Sequence, residues 1–117
     1  MCAKIYHNPR CSKSRQTLQL LQGHGVDPEI VEYLKTPPTA GELQTLLGQL
    51  GLEPRQLMRK QEEPYKTLQL DNPGLSSQDL IAAMVANPVL IERPIVVING
   101  KAAIGRPPEN ILTLLTD

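Results

Sequence analysis

The chain has no phenylalanine and no tryptophan, and three tyrosines make up its whole 3% aromatic content. The hydrophobic core must therefore be aliphatic, and a surface of interleaved aromatics that stacks bases is excluded. It has only two cysteines, Cys2 and Cys11, too few for a disulfide framework or a zinc set. There is no excess of either charge: 12 Lys and Arg balance 12 Asp and Glu. That argues against a nucleic-acid protein that relies on bulk positive charge. No apolar run approaches the roughly 18 residues that span a bilayer. The opening Met-Cys-Ala-Lys-Ile-Tyr-His carries no signal-peptide stretch, so a cytoplasmic location without membrane association is expected. In that reducing compartment a cysteine is more often inert, metal-binding or catalytic than bridged. At 117 residues, 40% of them hydrophobic, the chain has the size and composition of one globular domain spanning 1–117.

What is present is an ordered alternation of element types. Residues 3–7 read as a strand stopped by Asn8-Pro9, and a helix runs from Ser12 or Ser14 to Gly23 with Leu18 and Leu21 on its apolar face. Residues 29–34 read as a second strand, which a βαβ connection makes parallel to the first. Thr36-Pro37-Pro38 turns the chain. Thr39 and Glu42 then form a capping box for a helix with Leu43, Leu46, Leu47 and Leu50 inward and Gly51 at its end. A short helix is expected from Glu53 to about Lys60, and a polar, irregular stretch with one helical turn near 65–68. A further helix, capped by Ser76 or Ser77, runs to about Ala86. The strongest strand is 94–98. Asn99-Gly100 is the tightest hairpin sequence available, with 101–105 returning and a final helix starting at Pro107-Pro108. The order is βαβ, a helical block at about 39–86, then ββα. That predicts an α/β, thioredoxin-like fold with a helical insertion.

The chemistry concentrates in His7-Asn8-Pro9-Arg10-Cys11-Ser12-Lys13-Ser14-Arg15. A cysteine between a strand end and a helix start meets unpaired N–H groups and the positive end of the helix dipole, both of which stabilise a thiolate. The same N–H groups cradle an oxyanion. Arg10, Lys13 and Arg15 add positive charge. Two readings share these residues: a nucleophile beside an anion hole, and a structural cysteine near a basic turn. His7 either assists the Cys11 thiolate or ends its strand facing water. Cys2 reads as a bystander. Arg59, Arg93 and Arg106 stand at element ends, Arg93 and Arg106 directly before prolines. Guanidinium forks bind tetrahedral oxyanions in two-point fashion, but surface arginines with solvated tips would look the same in sequence. Glu62 and Glu63 read as solvated surface, and no metal-ligand spacing is found.

Four separated segments resemble one family. His-Asn-Pro-Arg-Cys-Ser-Lys-Ser-Arg, Leu-Met-Arg-Lys, Glu-Arg-Pro-Ile-Val-Val and Ile-Gly-Arg-Pro-Pro-Glu are similar to the ArsC-type, glutaredoxin-dependent arsenate reductases, nearest to their short YfgD-like branch. The resemblance runs from about Ala3 to Leu115. It implies a thioredoxin-like fold with a helical insertion and a cis Arg93–Pro94 bond. It implies that Cys11 is the nucleophile, that His7 helps keep it ionised, and that Arg59, Arg93 and Arg106 converge on one pocket to hold arsenate. Ser14 and Arg15 complete the expected substrate-binding set, with Arg15 on the exposed side of its helix. The implied reaction takes glutathione as co-substrate and glutaredoxin as protein partner, needs no metal or tightly bound cofactor, and suits a monomer. Arsenic-operon members carry Gly-Thr after the cysteine where this chain has Ser12-Lys13, which alters the anion loop directly. Two alternatives share the pattern. Spx-type regulators bind RNA polymerase, and many carry a Cys-x-x-Cys redox switch, which cannot form here because its fourth position is Ser14. The other is a glutathione-linked thiol oxidoreductase with a different substrate.

Overall fold

A computed structural model describes residues 2–115. In chain order the elements are β1 (Ala3–Tyr6), α1 (Ser12–Gly23), β2 (Glu29–Val31), α2 (Ala40–Leu50), a 3-10 helix (Pro54–Leu57) and α3 (Glu63–Thr67). Then follow α4 (Ser77–Ala86), a 3-10 turn (Pro88–Leu90), β3 (Ile95–Ile98), β4 (Lys101–Ile104) and a closing 3-10 helix (Pro108–Leu115). They form two compact units: the chain up to Thr36 together with the chain from Arg93 onward, and Pro37–Glu92. Among the described residues no helix is long and apolar enough to cross a membrane.

The first unit is built on a four-stranded sheet in the order β2-β1-β3-β4. β1 and β2 are parallel, with Ile5 opposite Ile30, as the βαβ reading requires. β1 and β3 are antiparallel, with Ile5 opposite Val96, and β3 and β4 form an antiparallel hairpin. Asn99 (φ 52°) and Gly100 (φ 83°) both take the left-handed conformation that a two-residue type I′ turn demands. Strands of three or four residues are too short to persist alone, so packing must hold them. Ile5, Leu21, Val26, Val96, Ile98 and Ile111 supply it as one buried aliphatic cluster. The core is thus built without phenylalanine or tryptophan. The Arg93–Pro94 bond is cis, as expected, and so is Arg106–Pro107, which sequence reasoning did not anticipate.

One close approach in this unit has a measurable consequence. A Cβ placed on Gly105 would lie 2.5 Å from Thr17 Oγ1 and 2.9 Å from Pro94 Cγ. Thr17 is buried and donates its hydroxyl to the Lys13 carbonyl at 2.8 Å, so it cannot step aside without breaking that bond. Gly105→Ala is expected to destabilise the protein by about 1–3 kcal/mol through overpacking, read by chemical denaturation. An unchanged midpoint would show that this junction yields.

The second unit is the helical block. Thr39 and Glu42 form the expected reciprocal capping box on α2, and Ser76 with Asp79 forms another on α4. Gly51 ends α2 in the left-handed conformation. Leu43, Leu46 and Leu47 are buried on α2, and Leu80, Ile81 and Met84 on α4.

Three expectations on element type or length are corrected. The second strand ends at Val31 rather than Leu34, because the Lys35 and Thr36 N–H groups both donate to the Glu32 carbonyl at 2.9 Å and turn the chain. The helix expected through Lys60 stops at Leu57. There Met58 bridges Ile91, Arg59 N–H donates to Leu90 O at 2.7 Å, and Glu92 N–H donates to Leu57 O at 2.8 Å. A long-range extended pairing thus displaces the local helix. The final helix is 3-10 rather than α.

Candidate active site

The loop between β1 and α1 closes on itself through Asn8. The Asn8 side-chain oxygen accepts from Arg10 N–H at 3.0 Å, its carbonyl accepts from Cys11 N–H at 3.0 Å, and its own N–H donates to Ser14 Oγ at 3.0 Å. This is the local competition by which an Asx side chain replaces ladder bonds with a turn. Arg15 Nη1 donates to the Pro9 carbonyl at 2.9 Å across the outside of the same loop. The result places Cys11 at the N-cap of α1 with extended backbone (φ −94°, ψ 123°).

Cys11 is 7% exposed, enough for a reagent to reach but largely out of water. Burial alone would push its thiol pKa up. The Ser14 N–H, the Arg93 guanidinium, the Lys13 N–H and the Arg106 guanidinium outweigh burial and hold it below the ordinary value. Arg106 makes the direct contact: its Nη2 donates to Cys11 Sγ at 3.5 Å while its Nε donates to the Arg93 carbonyl at 2.8 Å. Arg93 sits at the start of β3 with its Nε and Nη1 buried. Both arginines lie far beyond Cys11 in the chain, one on each side of the β3–β4 hairpin.

His7 is buried, and its N–H extends the β1–β2 ladder to the Val31 carbonyl at 2.8 Å. Its Nδ1 lies 2.6 Å from Ser14 Oγ, and Ser14 is fully buried. Burial lowers the His7 pKa, Glu32 opposes that shift and Arg15 adds to it, so the ring is neutral at neutral pH. A neutral imidazole brings no charge to the thiolate. Its link to Cys11 runs through Ser14, whose hydroxyl is hydrogen-bonded to His7 Nδ1 and accepts from Asn8 N–H, and whose own N–H favours the sulfur anion. Sequence reasoning placed Ser14 with the substrate ligands and did not foresee its inward hydroxyl. It read Asn8-Pro9 as the stop of the first strand and did not foresee that Asn8 closes the loop under Cys11 and Ser14.

The remaining candidates have other surroundings. Arg15 is exposed apart from its bond to Pro9. Arg59 belongs to the helical unit, where its Nη1 pairs with Glu62 Oε2 at 2.9 Å. Cys2 is exposed, and its backbone rather than its sulfur is engaged, with Asn99.

The lowered thiol pKa has a direct readout. Alkylation of Cys11 should show its pH midpoint below that of a free thiol, near 8.5, and Arg106→Ala should move it upward. Thiol reactivity that rises only above about pH 8 would remove the electrostatic basis of the site.

A mixed sheet that joins a βαβ segment to a hairpin, with a cysteine at the first helix N-terminus, is the thioredoxin-like class of fold. A solved structure described as an arsenate reductase from Vibrio cholerae superposes with a TM-score of 0.95 at 54% identity, covering 97% of each chain. The chain belongs to the ArsC family, whose model matches residues 6–114. It is 59% identical over 113 residues to the uncharacterized protein YfgD of Escherichia coli K12, covering 96% of this chain and 95% of that one. It is 52% identical over 113 residues to an arsenate reductase of Neisseria meningitidis serogroup A, covering 96% and 97%.

Proposed function

We propose that the protein reduces arsenate to arsenite with Cys11 as nucleophile. The observation that carries this reading is the position of the sulfur, at the N-cap of α1 and contacted by Arg106 Nη2 at 3.5 Å, where the Lys13 and Ser14 N–H groups favour its anion. A thiolate beside preorganised N–H donors and guanidinium forks is complementary to a tetrahedral oxyanion and to the charge that develops as sulfur adds to it. Relatives that cover nearly the whole chain carry the name arsenate reductase, which supports the choice of oxyanion.

The steps balance with external thiols. The Cys11 sulfur forms a bond to arsenic and one arsenate oxygen leaves as water. Glutathione then displaces a second oxygen, again as water, giving an arsenic(V) centre with two sulfur ligands. A glutaredoxin thiolate attacks the glutathione sulfur. The arsenic–glutathione bond breaks, and its electron pair stays on arsenic as arsenic(III). The two external sulfurs leave as a mixed disulfide, and water releases arsenite from Cys11. A single catalytic cysteine suffices in this scheme, and the compartment that supplies both thiols is the cytoplasm.

The test is arsenite production by the purified chain with glutathione and glutaredoxin, followed as arsenate-dependent NADPH oxidation through glutathione reductase. Turnover that needs all three components is expected. Turnover with arsenate absent would redirect the reading to general thiol exchange.

A further inference from the structure

The first turn of α1 is capped differently from those of α2 and α4. In α2 and α4 the N-cap is a hydroxyl, Thr39 or Ser76, and the residue three positions on is an acid, Glu42 or Asp79; all four residues are exposed. In α1 the N-cap is Cys11, the residue three positions on is Ser14, and the first turn holds no acid. A carboxylate at that position favours a helix, both by reaching back to the N-cap N–H and through the helix dipole. Beside Cys11 it would also set a negative charge near the sulfur and disfavour the sulfur anion.

Ser14 reaches back as the third residue of a capping box does, but past the N-cap and without charge. Its hydroxyl accepts from Asn8 N–H at 3.0 Å and lies 2.6 Å from His7 Nδ1. His7 N–H is in turn held by the Val31 carbonyl at 2.8 Å. β2, the end of β1 and the first turn of α1 are therefore joined in series through His7 and Ser14. Ser14 is fully buried and His7 is buried with it. A hydroxyl with no exposed surface, engaged on two sides by the chain's own groups, is built to hold the loop and not to meet a ligand that arrives from solvent.

We propose that Ser14 is a positioning residue: its hydroxyl fixes the first turn of α1 so that its own N–H is directed toward the Cys11 sulfur, and its neutrality leaves the sulfur anion unopposed. The inference deepens the proposed function and rests on it only in taking Cys11 as the reacting sulfur. The Arg93 and Arg106 guanidiniums and the Lys13 N–H also favour that anion, so loss of the Ser14 tie removes one contribution and leaves theirs in place.

Alkylation by iodoacetamide, followed against pH in a Cys2→Ser background so that one thiol is read, tests this directly. Ser14→Ala should raise the Cys11 midpoint by about one pH unit, a tenfold smaller thiolate fraction below it, with the limiting rate at high pH within about twofold of native. Ser14→Thr keeps the hydroxyl and should return most of that shift. In arsenate reduction at neutral pH, Ser14→Ala should lose about tenfold in kcat, recovered as pH rises, with KM little changed. A substrate ligand would behave in the opposite way, raising KM at every pH and leaving the alkylation midpoint where it was. If neither variant folds, the native chain carries the test by NMR: the Ser14 amide proton should titrate with the midpoint of Cys11 alkylation, and the Asn8 amide should exchange slowly. A midpoint unmoved in folded Ser14→Ala, a Ser14 amide that does not follow Cys11, or an Asn8 amide that exchanges as freely as an exposed one would overturn the proposal. The alkylation and NMR readouts involve no arsenate, so they stand or fall separately from the reduction reaction.

Discussion

Cys11→Ser is expected to abolish arsenite formation, by at least about a thousandfold in kcat/KM, while the protein stays folded. The reason lies in the acid–base chemistry of the position. The Ser14 and Lys13 N–H groups and the Arg93 and Arg106 charges bring a thiol below its ordinary pKa. The same set cannot ionise a serine hydroxyl near neutral pH, so the nucleophile is lost although every other group remains. Stability should not fall with it. Cys11 occupies the N-cap of α1 without a side-chain cap bond, and serine is among the preferred N-cap residues. Cys2→Ser is the matched control. Its sulfur is exposed and only its backbone is engaged, with Asn99, so activity within about twofold of the native chain is expected for a surface change of this kind. Arsenite assays on both variants, with thermal melts alongside, check the pair. Equal damage from Cys2→Ser would replace the external-thiol scheme with an intramolecular two-cysteine cycle.

Legibility in the sequence followed the range of the interaction. Thr39 with Glu42 and Asn99 with Gly100 act within four residues, and both devices stand where the pattern placed them. The parallel β1–β2 pair followed from the chirality and length of one connection. One reading failed where a distant partner outbid local propensity: Ile91 pulled Met58 out of a helix. The other failed locally, where the Glu32 carbonyl accepts from the Lys35 and Thr36 N–H groups and turns the strand after three residues, a choice between strand and turn that β-branched and aromatic composition does not decide. The site divides the same way. Cys11 before a helix could be read from its neighbours, and so could the sign of its pKa shift. That Arg106 reaches Cys11 across 95 residues could not; periodicity is silent on it, and only the resemblance implied it. Ser14 illustrates the finer limit. Its hydroxyl faces His7 because the loop closes through Asn8, a matter of side-chain direction that residue spacing does not encode.

Arg106→Lys is expected to lower kcat/KM by about a hundredfold, near 2.7 kcal/mol of lost transition-state stabilisation, with little change in the melt. The guanidinium is used at two points at once: Nε on the Arg93 carbonyl at 2.8 Å and Nη2 on Cys11 Sγ at 3.5 Å. The first contact aims the second, and a lysine ammonium is a single point that cannot make both. The charge is retained, so the Cys11 alkylation midpoint should stay close to the native one in Arg106→Lys and rise in Arg106→Ala. Activity and thiol pKa would then separate, which distinguishes a shaped oxyanion site from general positive charge. Arg93→Lys should behave in the same way, since its guanidinium favours the thiolate from the start of β3 with Nε and Nη1 buried. Arg15→Ala supplies the contrast. Arg15 is exposed and holds only the Pro9 carbonyl, so its loss should cost activity less than about tenfold, the scale of one solvent-exposed hydrogen bond. Equal losses from Arg15→Ala and Arg106→Lys would mean that bulk cationic charge near the loop, rather than the fork beside the sulfur, sustains the reaction.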